Sequence, residues 1–226
     1  MKTIIWDLDG TLMDTLQDLM LAVNHALLSN GMPERSLEQT RMAVGNGVRR
    51  LMELSVPQGT DNPLFDKVFA DFKAYYVQHC QDNSGFYPGI VDTLAELKQR
   101  GHRMAVVSNK LQKGVTELYQ AQVRTVGTDR FSCMQDFIEV AIGERSDTRR
   151  KPAPDMVLKA LEEMGLSKEG AVYVGDSDVD IATARNAGLP CISVLWGFRD
   201  RHFLEQHGAE CFAQQPEDLL KLLEDN

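Results

Sequence analysis

The chain is short of several things, and each shortage removes a class of function. It has only four cysteines, Cys80, Cys133, Cys191 and Cys211, and no C-x-x-C pair. They read as reduced, mostly buried thiols of a cytoplasmic protein. The five histidines show no metal-ligand spacing. No apolar run approaches the roughly 20 residues that a membrane-spanning helix needs. No cationic stretch followed by an apolar core opens the chain, so no secretory signal is expected. Positive charge is scarce: 24 Lys and Arg stand against 33 Asp and Glu, for a net charge of −9. The one dense basic cluster, Arg149-Arg150-Lys151, is too short to form a stripe. Nucleic acid and anionic membranes are therefore not expected as partners. No internal repeat or low-complexity tract is present.

What remains is an ordinary globular composition. The 226 residues are 43% hydrophobic and 25% charged, enough for one large domain or one domain plus an insert. Residues 2–6 form a short apolar run, read as a strand. From Asp14 the period becomes helical: Leu16, Leu19, Met20, Val23 and Leu27 share one face. Asp14 and Thr15 read as the N-cap of that helix. Further helices fit 36–44 and 48–54. Asn62-Pro63 reads as an N-cap with proline in the first turn, ahead of a stripe of Phe65, Val68, Phe69, Phe72, Tyr76 and His79. That stripe reads as helix-packing core.

Beyond Phe86 the pattern alternates. Helices are expected at 93–100, 113–123, 155–164, 179–187 and 217–223. Strands are expected at 103–107, 137–142, 171–174, 191–195 and 211–212. Such alternation indicates an α/β fold, a parallel sheet covered on both faces. Roughly 95 residues separate the first strand from the next, whereas a crossover needs about a dozen or more. The excess is all helical. It reads as an inserted helical domain over 16–83, within a core formed by 1–15 and 84–226.

In an open parallel sheet, ligands bind beyond the carboxyl ends of the strands. After the first strand comes Asp7-Leu8-Asp9-Gly10-Thr11, and after the second Ser108-Asn109-Lys110. A loop carrying Lys151-Pro152 follows the third, and Gly175-Asp176-Ser177-Asp178-Val179-Asp180 the fourth. Carboxylates gathered around an oxygen-only site suit magnesium. Asp7 and Asp176 would supply its charged ligands. Asp7 and Asp9 point the same way along an extended backbone and divide naturally into nucleophile and general acid/base. Lys151 would bind a phosphate and screen the anionic nucleophile, while Ser108 and backbone amides add donors. Gly10 lets the chain turn tightly. Ser177 and Asp178 read equally as caps of the following helix.

DLDGTLMDT, the SN pair, KPAPD and GDSDVD together resemble the four motifs of the haloacid dehalogenase-like superfamily, over nearly the whole chain. The helical insert resembles that superfamily's C1-type cap. The wording of VGNGVRRLM, YPGIVDTLAELKQRG, RKPAPDM and WGFRDR is most similar to the phosphoglycolate phosphatases and close relatives. The resemblance implies a Rossmann-like doubly wound core with an all-helical cap. It also implies a magnesium-dependent phosphatase acting on a small phosphorylated metabolite, 2-phosphoglycolate first, as a monomer or homodimer. Asp7 would become an aspartyl-phosphate. Asp9 would protonate the leaving alcohol and then deprotonate the hydrolytic water. Mg2+ would be held by Asp7, the Asp9 carbonyl and Asp176, with Asp180 a ligand or a support. Ser108, Asn109 and Lys151 would hold the phosphoryl group. In the cap, Gly45-Asn46-Gly47 reads equally as a turn and as a loop reaching over the active site. Arg49 reads as an exposed helix residue or as a partner for a substrate carboxylate. Trp196-Gly197-Phe198-Arg199 either lines the entrance or packs.

Rival readings are a phosphomutase of the beta-phosphoglucomutase type, an inorganic pyrophosphatase or a nucleotidase. Outside enzymes, the rival is a non-catalytic phospho-ligand-binding protein. Such a protein should have lost a catalytic carboxylate, and Asp7, Asp9, Asp176 and Lys151 are all present. Dehalogenases generally lack the second aspartate. A phosphonoacetaldehyde hydrolase needs a cap lysine, and the insert has only Lys67 and Lys73, both in the aromatic helix.

Overall fold

Thr3-Ile4-Ile5-Trp6 contains no charge, and its β-branched and aromatic side chains suit a strand covered on both faces. It forms β1 (Thr3–Trp6) at the centre of a sheet, in a computed structural model that describes residues 2–224. The chain divides into two compact units. One takes in the residues up to Asp14 and those from Gly85 onward; the other is Thr15–Ser84.

After β1 and the short β2 (Met13–Asp14), the second unit carries α1 (Leu16–Leu28), α2 (Leu37–Ala43), α3 (Gly47–Ser55) and α4 (Phe65–His79). The first unit then resumes with β3 (Gly85–Phe86), α5 (Ile90–Gln99), β4 (Arg103–Leu111), α6 (Gln112–Gln120), β5 (Gln122–Arg124) and β6 (Phe131–Cys133). It ends with β7 (Val140–Glu144), α7 (Asp155–Glu163), β8 (Ala171–Gly175), α8 (Asp178–Ala187), β9 (Cys191–Val194), α9 (Arg201–Gln206), β10 (Cys211–Ala213) and α10 (Asp218–Leu222).

Six strands pair in the order β10-β9-β8-β1-β4-β7, all parallel. This is the doubly wound α/β core, with β1 at the point where the winding reverses. Side-chain alternation along the strands builds two cores. Ile4 and Trp6 pack with Leu94, Leu97, Val115, Leu118 and Leu219 from α5, α6 and α10. Ile5 packs on the opposite face with Val107, Ile142, Met156, Leu161 and Ala184, between the sheet and α7 and α8. At ~25 cal/mol per Å2 of apolar surface buried, each fully buried Val, Leu, Ile or Met side chain among these contributes about 1.5–3 kcal/mol.

In the second unit, α1 buries Leu16, Leu19, Ala22, Val23, Ala26 and Leu27, and α4 buries Phe65, Val68, Phe72 and Tyr76. Four of the six residues of the expected stripe are thus core, with Phe72 and Tyr76 stacked at 5.4 Å between ring centroids, whereas Phe69 and His79 are only partly buried.

Several element boundaries differ from the sequence pattern: α5 starts at Ile90, β4 runs to Leu111 and α6 ends at Gln120, and three further differences have a local cause. Asp14 lies in β2, paired antiparallel with Gly85, so α1 starts at Leu16; Thr15 holds the N-cap position without a side-chain bond. The helix expected after Asn62-Pro63 starts at Phe65, because a 3-10 turn over Gly59–Asp61 precedes it. Asn62 Oδ1 accepts from the Leu64 amide at 2.9 Å, a local turn and not a helix cap. The strand expected over 137–142 begins at Val140, since a 3-10 turn at Met134–Asp136 takes up the preceding chain.

Candidate active site

The register of the sheet brings the motifs together. Trp6 pairs with Val106 on one side and with Val174 on the other, so β1 and β8 end beside the middle of β4, which runs on to Leu111. The Asp7 amide continues the ladder with a bond to the Val174 carbonyl at 2.9 Å. Asp7 and Asp176 follow the ends of β1 and β8, Ser108 lies within β4 just past its pairing with Trp6, and Lys151 arrives on the loop after β7.

Lys151 is the hub. Its ammonium donates to Asp7 Oδ1 at 2.6 Å, to Asp180 Oδ1 at 2.8 Å and to the Tyr173 hydroxyl at 3.1 Å. All four side chains are buried. Burial alone would depress the Lys151 pKa, but Asp180 and Asp7 outweigh it and hold the group raised and protonated. Burial, then Asp180, pushes Asp7 well above the usual carboxylate range, and Lys151 opposes this without cancelling it. Burial and then Asp180 keep Tyr173 a neutral hydroxyl.

Asp180 is saturated. Oδ1 accepts from Lys151 and from the Tyr173 hydroxyl at 3.0 Å. Oδ2 accepts from Ser177 Oγ at 2.6 Å and from the Ser177 and Asp176 amides at 3.1 and 3.2 Å. With Ser177 it forms the capping box of α8.

Asp176 is aimed by two donors: Thr11 Oγ1 reaches Oδ1 at 3.1 Å, and the Phe198 amide reaches Oδ2 at 2.8 Å. Trp196 Nε1 donates to the Thr11 carbonyl at 2.9 Å, which ties the 196–198 loop to the turn after β1. Gly10, at φ +92°, lies so close that a Cβ there would stand 2.5 Å from Asp176 Oδ2. Burial, then Asp180, raises the Asp176 pKa to about 7.

Asp9 is half-buried and sits apart from this cluster, with Lys110 Nζ at 3.0 Å from Oδ1 and Ser108 Oγ at 3.4 Å from Oδ2. Asn109 does something the sequence did not suggest. Its side-chain amide donates to the Lys151 carbonyl at 3.1 Å, and its Oδ1 accepts from the Lys151 amide at 2.8 Å. The side chain expected to hold phosphate therefore clamps the loop that carries Lys151.

Carboxylate oxygens of Asp7, Asp176 and Asp180 all lie within 4.8 Å of one another. Three buried carboxylates crowd beside one ammonium, which bonds Asp7 and Asp180, an arrangement that calls for more positive charge. The donor set is oxygen only. It fits a hard divalent cation.

Gly45, Asn46, Gly47 and Arg49 belong to the second unit. Gly45 and Gly47 take positive φ angles, +120° and +78°, at the entry to α3. Arg49 pairs with Glu53 at 3.3 Å and lies over the Phe65 ring at 5.5 Å from its centroid, all within that unit.

Sequence reasoning gave no role to Thr11, Lys110, Tyr173 and the Phe198 amide. Tyr173 carried a signal: a tyrosine inside a fully buried strand requires a partner for its hydroxyl. Lys110 carried a weaker one, a cation directly after two strand-end polar residues.

The haloacid dehalogenase-like hydrolase family matches residues 4–194. A phosphoglycolate phosphatase of Rhodobacter capsulatus is 35% identical over 199 residues, covering 87% of this chain and 85% of its own. One from Aquifex aeolicus is 31% identical over 230 residues, covering 100% and 98%. A crystal structure from Lactobacillus delbrueckii subsp. bulgaricus, provisionally named a phosphoglycolate phosphatase, superposes with a TM-score of 0.89 at 33% identity, covering 99% of each chain. With the strand-end carboxylates, the buried lysine and the doubly wound sheet in place, the chain belongs to the haloacid dehalogenase-like hydrolases, as a phosphoglycolate phosphatase-like member.

Proposed function

We propose that this chain is a magnesium-dependent phosphatase that hydrolyses 2-phosphoglycolate, or a closely similar phosphorylated metabolite, through an aspartyl-phosphate on Asp7. The observation that carries this reading is the crowding of Asp7, Asp176 and Asp180 within 4.8 Å around the ammonium of Lys151. The names of the relatives favour phosphoglycolate. The four cysteine thiols fit a reducing cytoplasm.

Asp7, the Asp9 carbonyl and Asp176 would hold the ion, with Asp180 kept as the orienting partner of Lys151. Bound there, magnesium would supply positive charge to the transferring phosphoryl oxygens. Asp7, oriented by Lys151, attacks phosphorus as the bond to the alcohol oxygen breaks. Asp9 gives that oxygen a proton. Asp9 then takes a proton from the water that attacks phosphorus, which releases phosphate and restores the Asp7 carboxylate. Ser108, Lys151 and the main chain around Asn109 hold the phosphoryl group.

Phosphate release from 2-phosphoglycolate, compared across a panel of sugar phosphates, nucleotides and pyrophosphate, tests the reading. Activity should require Mg2+, vanish with chelator, and fall at least a thousandfold in Asp7→Asn. Substantial turnover by Asp7→Asn, or none by the wild type on any phosphate ester, sinks it. Arg49→Ala tests the cap residue: an unchanged kcat/KM for carboxylated relative to uncarboxylated substrates removes Arg49 from substrate recognition.

A further inference from the structure

The ion pair between Lys110 and Asp9 has no part in the chemistry proposed so far, yet it is built with care. Lys110 is the penultimate residue of β4, and its side chain is 4% exposed. Burying an ammonium costs free energy unless a charged partner compensates. The partner is Asp9, at 3.0 Å from Nζ. The main chain fixes the base of the lysine: its amide donates to Ser108 Oγ at 3.1 Å. The same Ser108 hydroxyl lies 3.4 Å from the other Asp9 oxygen. The stem is supported as well. It runs beside Gly114 in α6, where a Cβ would stand 3.4–3.6 Å from Lys110 Cγ, Cδ and Cε. That spacing is ordinary van der Waals contact, so the stem lies along α6. Asp9 therefore meets Lys110 and Ser108 from one strand end, each oxygen on a different donor.

We propose that Lys110 is a positioning residue for Asp9. It holds the carboxylate at the β4 side of the site, in the orientation from which Asp9 exchanges a proton with the leaving-group oxygen. This rests on the assignment of Asp9 as the acid. Lys110 differs from Lys151, which faces Asp7 and Asp180; the two lysines serve the two aspartates of the D-x-D pair separately. Lys110 acts through Asp9, and loss of its charge leaves the carboxylate mispositioned while the Lys151 cluster stays intact.

Leaving-group dependence separates this role from a merely structural one. An alkyl alcohol departs poorly without a proton, whereas a nitrophenolate departs without one. Because kcat/KM reports the steps up to departure of the first product, it isolates proton donation from later hydrolysis. Lys110→Met, Lys110→Arg, Asp9→Asn and wild type are assayed with 2-phosphoglycolate and 2,4-dinitrophenyl phosphate. Lys110→Met should lose at least tenfold more kcat/KM on the alkyl than on the aryl ester, the same bias as Asp9→Asn. Lys110→Arg should recover part of the alkyl activity. A bias in Asp9→Asn with none in either Lys110 variant overturns the inference and leaves the assignment of Asp9 standing. No bias in any variant overturns both. If Lys110→Met does not fold, Lys110→Arg decides the matter: its alkyl-to-aryl ratio must shift by at least threefold, and a smaller shift overturns the inference.

Discussion

The ammonium of Lys151 lies 2.6 Å from Asp7 Oδ1, with both groups shut away from solvent. Lys151→Met removes the cation and leaves Asp7 and Asp180 buried without a counter-charge. Breaking a buried pair from one side costs about 3–5 kcal/mol. Urea denaturation in chelator should register a loss of that order. Loss of a preorganised donor should also cut phosphatase kcat by about 10^2–10^3. Added magnesium should restore part of the stability but not the activity. A variant as stable as wild type in chelator would show that the carboxylates are not charge-stressed.

The raised pKa of Asp176 makes a prediction with a definite sign. In the folded chain burial, then Asp180, moves it from 3.8 to about 7. Between those values the folded state keeps a proton that the unfolded chain has released. Metal-free stability should therefore fall as pH rises from about 4 to 7, by up to ~1.4 kcal/mol per unit. A cation must displace the same proton, so its affinity should rise over that window and level off above it. Melting curves with and without magnesium chloride should diverge by more at pH 8 than at pH 5. Asp176→Asn should flatten the divergence. An equal rise in Tm at both pH values would contradict this linkage.

Gly10 is constrained by conformation and by space. Its φ of +92° disfavours any side chain, and a methyl group there would meet the Asp176 carboxylate at 2.5 Å. Gly10→Ala should cost at least ~1–2 kcal/mol from the backbone alone. It should also push Asp176 off the Thr11 and Phe198 donors. Magnesium affinity, read by titration calorimetry, should fall at least tenfold, while the far-UV spectrum is retained. Unchanged affinity would mean that this turn does not position Asp176.

The extent to which the site was legible follows from its parts. Every residue of TIIW suits a buried strand and none carries charge, so β1 and the carboxylates after it could be placed from the pattern alone. The alternation of apolar runs beyond Phe86 gave the sheet for the same reason. What could not be read was the wiring between strand ends. Nothing in the sequence tells Lys110 to pair with Asp9 and Lys151 with Asp7, because that choice depends on strand order and side-chain direction. Asn109 looked like a phosphate ligand, yet its amide matches the Lys151 main chain, a contact 42 positions away. Donors such as the Phe198 amide leave no trace in residue identity, since every residue but proline carries one.

Asp18 looks in the sequence like one polar residue on an amphipathic helix, yet it is 2% exposed. Oδ1 accepts from the Asn83 amide at 3.0 Å and from its side-chain nitrogen at 2.8 Å. Oδ2 accepts from the Asn83 amide at 3.0 Å, the Ser84 amide at 2.8 Å and the Ser84 hydroxyl at 2.7 Å. One carboxylate thus fastens the last two residues of the helical unit to the first turn of its first helix. Asp18→Ala leaves these buried donors unmatched, at about 1–3 kcal/mol for each group left without a partner. A loss of at least ~3 kcal/mol is expected, and faster hydrogen exchange should appear at the Asn83 and Ser84 amides. Asp18→Asn keeps one acceptor oxygen and should fall between the two. Stability within ~1 kcal/mol of wild type for Asp18→Ala, with those amides still protected, would show that the chain ends of this unit are held by packing and not by the carboxylate.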